Sequence, residues 1–186
     1  MPEKPQHEVT AAEDPALAFQ THDHRHCVGT MLARAEAVCA DKGLRLTPVR
    51  RRVLEILLET HKALGAYEVL DRLAADGFGH QPPVAYRALD FLVTHGLAHR
   101  IQRLNAFAAC MHTTDDSDAG HEAVFLICRD CNALAEAPGL RLRAALEAAA
   151  AGADFAVEGA AIEAIGLCAR CRAAAGEGND NAGVGA

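Results

Sequence analysis

What is scarce in this chain of 186 residues sets the first limits. Tryptophan is absent, and aromatic residues are only 4% of the total although hydrophobic residues reach 51%. A core so poor in rings has to be packed from Leu, Ala and Val, which favours helices over a β-sandwich. No apolar run approaches the ~20 residues that a membrane span needs, and the N-terminus is polar, without the apolar stretch of a signal peptide. The expectation is a cytoplasmic protein with no membrane partner. Positive charge is short as well: 18 Lys and Arg face 25 Asp and Glu, a net charge of −7. That balance argues against a polyanionic partner for the chain as a whole, but not for its middle. Between Lys42 and Arg103, 10 Lys and Arg stand against 6 Asp and Glu, a local +4 that leaves −11 for the remainder, so only this stretch can face phosphates. Seven cysteines are present, and in a reducing compartment pairs of them argue for metal ligation rather than disulfides.

Periodicity divides the chain into two small domains with flanking tails. Residues 1–29 lack it and are expected to form a mobile tail carrying His22, His24, His26 and Cys27. From Thr30 a first helix puts Leu32, Ala35 and Cys39 on one face, and Gly43 stops it. Thr47 as N-cap and Pro48 at the first helical position open a second, with Val49, Val53, Ile56 and Leu57 inward and Arg50, Arg51 and Arg52 mostly outward. A third carries Ala66, Val69, Leu70 and Leu73 on one face and ends at Asp76-Gly77. The fourth runs from Pro82-Pro83 to Gly96, with Ala85, Ala88, Leu89 and Leu92 inward and Tyr86, Arg87, Asp90 and Thr94 outward. Two short stretches, 97–102 and 106–111, then suit a hairpin. Helices followed by a two-stranded wing predict a winged helix-turn-helix over 30–111, whose last helix before the wing lies in the major groove. Residues 112–120 form an acidic hinge. A second domain over 121–175 mixes short strands at 123–128 and 133–135, an Ala- and Leu-rich helix at 139–150 and an extended stretch at 155–165; 176–186 is a disordered tail. The fold class is α+β.

The most specific chemical signal is Cys128-x-x-Cys131 with Cys168-x-x-Cys171, two knuckles that can present four thiolates to a tetrahedral Zn²⁺. A site with four protein ligands is closed to water and therefore structural. The alternative is thioredoxin-like redox use, in which the second pair has no evident role. His99, Cys110, His121 and Glu136 form a looser constellation that spacing alone does not reveal. Singly, the histidines read as surface or capped residues, Cys110 as a small buried hydrophobe and Glu136 as a solvent-facing charge. The tail residues His22, His24, His26 and Cys27 leave two readings open: a third, weaker zinc site or an unoccupied polar segment. Cys39 reads as packed rather than ligating.

Several runs in one order carry a resemblance. Arg45-Leu-Thr-Pro-Val-Arg50, Pro82-Pro-Val-Ala-Tyr-Arg-Ala-Leu-Asp-Phe-Leu92, His121-x6-Cys128-x-x-Cys131 and Gly166-Leu-Cys-Ala-Arg-Cys171 resemble the ferric uptake regulator family, with its zinc uptake regulators nearest. The chain has Val84-Ala85 where that family usually has Thr-Val. The resemblance implies a homodimer that represses zinc-uptake genes by binding double-stranded operator DNA, through a C-terminal dimerisation domain and two zincs per chain. It implies that Cys128, Cys131, Cys168 and Cys171 hold structural zinc and that His99, Cys110, His121 and Glu136 hold regulatory zinc. It also brings Tyr67 near DNA. Two neutral imidazoles, a thiolate and a carboxylate cancel the charge of Zn²⁺, and the soft Cys110 suits zinc over iron or manganese. With ligands on either side of the hinge, one ion ties the domains together, so that the two recognition helices of a dimer meet major grooves roughly 34 Å apart. On the DNA, Arg87 can offer two donors to guanine and Tyr86 can pack on a thymine methyl or bond a phosphate. Arg50, Arg51 and Arg52 read as phosphate contacts or as a merely solvated helix face.

The rivals are a sister regulator sensing iron, manganese, nickel or peroxide, a zinc-storing protein, and a zinc enzyme. A deaminase needs His-x-Glu and a Pro before the first Cys, whereas Glu122 directly follows His121 and Ile127 precedes Cys128. The chain is therefore not expected to be an enzyme.

Overall fold

A computed structural model describes residues 18–20, 24–111 and 123–177. The segment 112–120 expected to be a hinge, His121 and His22 lie outside them. The order is α1 (His24–Asp41), α2 (Pro48–Leu58), β1 (Leu64–Gly65), α3 (Ala66–Ala75), α4 (Pro82–Thr94), β2 (Ala98–Ile101), β3 (Ala106–Ala109), β4 (Ala123–Cys128), β5 (Leu134–Pro138), α5 (Leu140–Ala151), β6 (Ile162–Gly166) and α6 (Ala169–Glu177). Helices and two small sheets make the fold α+β, as expected.

Helices α1 to α4 pack around a leucine-rich core in which Leu54, Leu57, Leu70, Leu73, Leu89 and Leu92 are fully buried. α2 starts where the sequence places it: Thr47 is extended, its side chain accepts from the Arg50 N–H at 3.4 Å, and Pro48 follows. Thr47→Ala is expected to lower stability by about 1 kcal/mol, the usual worth of such a cap, measured as a shift in the urea midpoint. α4 ends at Thr94, and two residues on Gly96 takes a φ of 68° that only glycine adopts freely; the Leu97 N–H returns to the Leu92 carbonyl at 2.8 Å and the chain turns into β2.

Four boundaries differ from expectation. α1 begins at His24, not Thr30, because Val28 packs against the core where no periodicity announced it. The wing has three strands in the order β1-β3-β2, all antiparallel; Leu64 and Gly65 pair with Phe107 and Ala106, a strand too short for alternation to register. Of the stretch 155–165, only Ile162 onward is strand. The tail expected from Gly176 is helical through Glu177, since α6 is launched at the second cysteine pair, with Arg172 N–H on the Cys168 carbonyl at 2.9 Å.

The second sheet has the order β5-β4-β6, with β5 antiparallel and β6 parallel to β4. Its inner face meets the wing. Ile101 and Ala108 of the wing share one buried cluster with Phe125, Ile127 and Leu134 of the second sheet, and the Leu134 N–H donates to the His61 carbonyl at 2.9 Å.

Candidate metal centres and nucleic-acid interface

Backbone turns gather the four paired cysteines at the far end of the second sheet. Cys128 closes β4, Cys131 sits in the β4–β5 turn, where Asn132 takes a φ of 56°, and Cys168 and Cys171 flank the start of α6. Their sulfurs lie within 4.8 Å of one another, and Cys131 and Cys168 Sγ are 3.9 Å apart. Tetrahedral zinc with thiolates at about 2.3 Å sets its sulfurs about 3.8 Å apart, so the group fits the ion. Burial alone would raise the Cys128 thiol, but backbone N–H groups of Cys168, Cys131 and Asp130 outweigh it and bring the pKa down to about 6. Cys171, hydrogen-bonded to Cys168 and partly desolvated, is pushed up to about 12. Four clustered thiols thus give up one proton readily and resist losing the next, and a dication removes that resistance. Phe19 packs against this cluster from before α1.

A second group forms where the wing meets the second sheet. His99 on β2, Cys110 just past β3 and Glu136 on β5 bring their ligand atoms within 4.8 Å of one another. His99 Nε2 lies 3.1 Å from Glu136 Oε1, near the roughly 3.3 Å edge of a tetrahedron with nitrogen and oxygen ligands at about 2.0–2.1 Å. Glu136 is the buried charged residue among those described, at 4% exposure, which rules out the solvent-facing reading of it. Its other oxygen accepts the Met111 N–H at 2.9 Å. The His99 ring rests against Phe125, with centroids 5.0 Å apart. Burial would lower the His99 pKa, but hydrogen bonds to Cys110 and Glu136 and the charge of the carboxylate outweigh it and hold it up to about 9. His99 must lose that proton before it can ligate a cation. The Arg34 guanidinium on α1 donates to Cys110 Sγ at 3.4 Å, a contact spanning 76 positions that no sequence signal announced.

Of the other sequence candidates, His24 and His26 fall in the first turn of α1 with Cys27 just after. Cys39 is buried in the helical core, as expected. Tyr67, on the first turn of α3, is 65% exposed, and Tyr86 and Arg87 project from α4 beside exposed Pro83 and Asp90. The arginine run is otherwise engaged. Arg50 lies 3.6 Å over the Phe91 ring and donates to the Arg45 carbonyl at 2.6 Å. Arg51 pairs with Glu36 and, at 3.1 Å, with Glu55; Arg52 pairs with Asp76 at 2.6 Å and Glu59 at 3.1 Å. Both guanidinium groups thus have carboxylate partners of their own.

No family model matches the chain. It is 37% identical over 141 residues to the zinc uptake regulation protein of Escherichia coli (strain K12), an alignment covering 76% of this chain and 81% of that protein, and equally so to that of Shigella flexneri. Among solved structures it is similar to a zinc uptake regulator complexed with zinc and DNA, at 35% identity and a TM-score of 0.74 over 80% of this chain and 97% of the other. It is likewise similar to holo XcZur, at 38% identity and a TM-score of 0.68 over 76% and 96% of the two chains.

Proposed function

The chain belongs to the zinc uptake regulators of the ferric uptake regulator family, and from that membership and its two ligand clusters we propose that it is a zinc-responsive repressor of zinc-uptake genes. It binds zinc, and it binds operator DNA when its regulatory zinc is in place. The observation that carries this reading is that His99 and Cys110 come from the wing side while Glu136 comes from the second sheet, so that one ion at this group restrains the two against each other.

The reading assigns two zincs per chain. Cys128, Cys131, Cys168 and Cys171 hold the structural one, and His99, Cys110 and Glu136, with His121 as the fourth ligand, hold the regulatory one. When bound there, zinc would supply positive charge and draw its ligands together. The chain's own residues do the rest: Met111 N–H and Phe125 orient Glu136 and His99, and Arg34 holds Cys110 from the side of α1. The thiolate favours zinc over harder ions. The winged helix, counted from the start of α1 at 24 to 111, and a dimerisation domain, 121–177, are joined by the acidic hinge, 112–120. Exposed Leu142, Leu146, Phe155 and Ile165 in the second domain support a second copy of the chain as partner. The protein acts in the cytoplasm and is a regulator rather than an enzyme.

Tyr67, Tyr86 and Arg87 are the exposed residues assigned to DNA, with Arg87 reading a base. The internal ion pairs of Arg51 and Arg52 move phosphate contact away from them. Arg87→Ala is expected to weaken operator binding about 10- to 100-fold at fixed salt, with less loss on non-operator DNA, in a gel shift.

Elemental analysis of the purified protein, followed by titration of free zinc against binding to promoter DNA of zinc-uptake genes, tests the whole. Two zincs per chain, with DNA binding that rises as the second is taken up, is the expected result. One zinc and binding indifferent to more would overturn it.

A further inference from the structure

The second sheet presents one row of residues to the wing, and the row has two carboxylates. Glu136 on β5 and Glu163 on β6 are both register partners of Phe125 on β4. Residues directly opposite one another across strands share a face, so Glu136, Phe125 and Glu163 stand side by side, with neighbouring strands about 4.8 Å apart. Phe125 fills the middle, against Ile101 and Ala108 of the wing. Glu136 engages one end of the wing, at His99 and the Met111 N–H. Glu163 engages the other end, where its two oxygens accept the Gln102 N–H at 2.6 Å and the Arg103 N–H at 3.1 Å. Those two N–H groups belong to the turn between β2 and β3, which Asn105, at a φ of 46°, closes by donating to the Gln102 carbonyl at 3.1 Å.

A single point of attachment leaves two bodies free to pivot, whereas two points at opposite ends of an apolar contact fix their relative rotation. The metal group is one such point. We propose that Glu163 is the point at the far end, which the Leu134 N–H on the His61 carbonyl does not reach: a positioning residue for the zinc response, which clasps the wing turn without metal and holds the second domain at the angle in which the regulatory ligands meet. The arrangement it holds is similar over most of the chain to that of a regulator complexed with zinc and DNA. The inference rests on the proposed function for its effect on DNA, but not for its effect on the wing. Charge-assisted bonds to backbone N–H groups are among the stronger contacts a carboxylate makes, and both would be lost together.

Linkage makes the test specific. If the clasp favours the closed arrangement and both zinc and DNA bind that arrangement, its loss weakens the two by a common factor although Glu163 touches neither. In full-length Glu163→Ala, regulatory-zinc affinity, measured by competition with a fluorescent chelator, is expected to fall about tenfold. Operator affinity at intermediate zinc should fall with it, while the four-cysteine zinc stays bound. Hydrogen exchange at the Gln102 and Arg103 amides should quicken. Glu163→Gln, which keeps one acceptor oxygen, should recover part of each loss and serves also if the alanine variant folds poorly. Unchanged exchange at those amides with unchanged zinc affinity in both variants would overturn the clasp. So would a loss of DNA affinity alone, which would place Glu163 at the DNA. Wild-type protein without zinc-dependent operator binding would sink the functional reading instead, and exchange and zinc affinity would still decide the clasp.

Discussion

In His99→Ala, operator affinity at saturating zinc is expected to fall more than a hundredfold, while the protein retains one zinc per chain and stays folded. The size follows from what a switch requires. A ligand that favours one arrangement of two domains by ~3 kcal/mol shifts their equilibrium more than a hundredfold, and removing a ligand residue forfeits most of that preference. That the fold survives follows from where the residue sits. His99 is on the wing's second strand, outside the leucine core of α1 to α4, and its side chain is still 17% exposed. Its loss leaves Glu136 without its partner, a penalty of about 1–3 kcal/mol against a stability of typically 5–15 kcal/mol. Gel shifts across a series of free-zinc concentrations, with zinc counted by elemental analysis, check both halves. An unfolded variant would collapse the division between regulatory and structural sites, and undiminished zinc-dependent binding would move the sensor elsewhere.

The two candidate metal groups differ in how legible they are in the sequence. Cys128, Cys131, Cys168 and Cys171 are legible because each pair is local, and a turn of two intervening residues fixes its geometry whatever the rest of the chain does. His99, Cys110 and Glu136 came from resemblance, since they meet only through the pairing of strands from separate sheets, which no local pattern encodes. Glu163 is illegible in the sequence for the same reason: its partners are backbone N–H groups 60 and 61 positions away. Helices α2 to α4 were readable from apolar period and from Thr47-Pro48 and Gly96, where local chemistry and tertiary packing agree. Where they part, local pattern is silent. β1 is two residues long and exists only because β3 pairs with it, and the pairs of Arg51 with Glu36 and of Arg52 with Asp76 join residues 15 and 24 positions apart, beyond any local pattern.

Cys128→Ser is expected to act on the other half of the molecule and to cost more stability than His99→Ala. Cys128 is 1% exposed and lies where three pieces of backbone converge: its N–H donates to Ala133, its carbonyl accepts from Asn132, and its sulfur accepts the Cys168 N–H at 3.4 Å. The second domain has little else at that end, since the cluster there consists of Cys128, Ala133 and Cys168 with Phe19, Cys131, Leu167 and Cys171 against it. In so small a domain metal binding is folding free energy, about 10–16 kcal/mol for structural zinc in short peptides. A hydroxyl in place of one thiolate opens the site to water and chelators and forfeits a large part of that. The variant should lose tightly held zinc to a chelator within minutes and sediment as monomer. It should still show most of its helical circular dichroism, because the leucine core of α1 to α4 is a separate cluster from that of the four cysteines. Cys39→Ser is the control, since Cys39 is equally buried but packs in the helical core, and it should keep both zincs and the dimer. If Cys128→Ser kept its structural zinc and its partner subunit, the four-cysteine group would not be what holds the second domain together, and the exposed apolar side chains of α5 and β6 would have to do so alone.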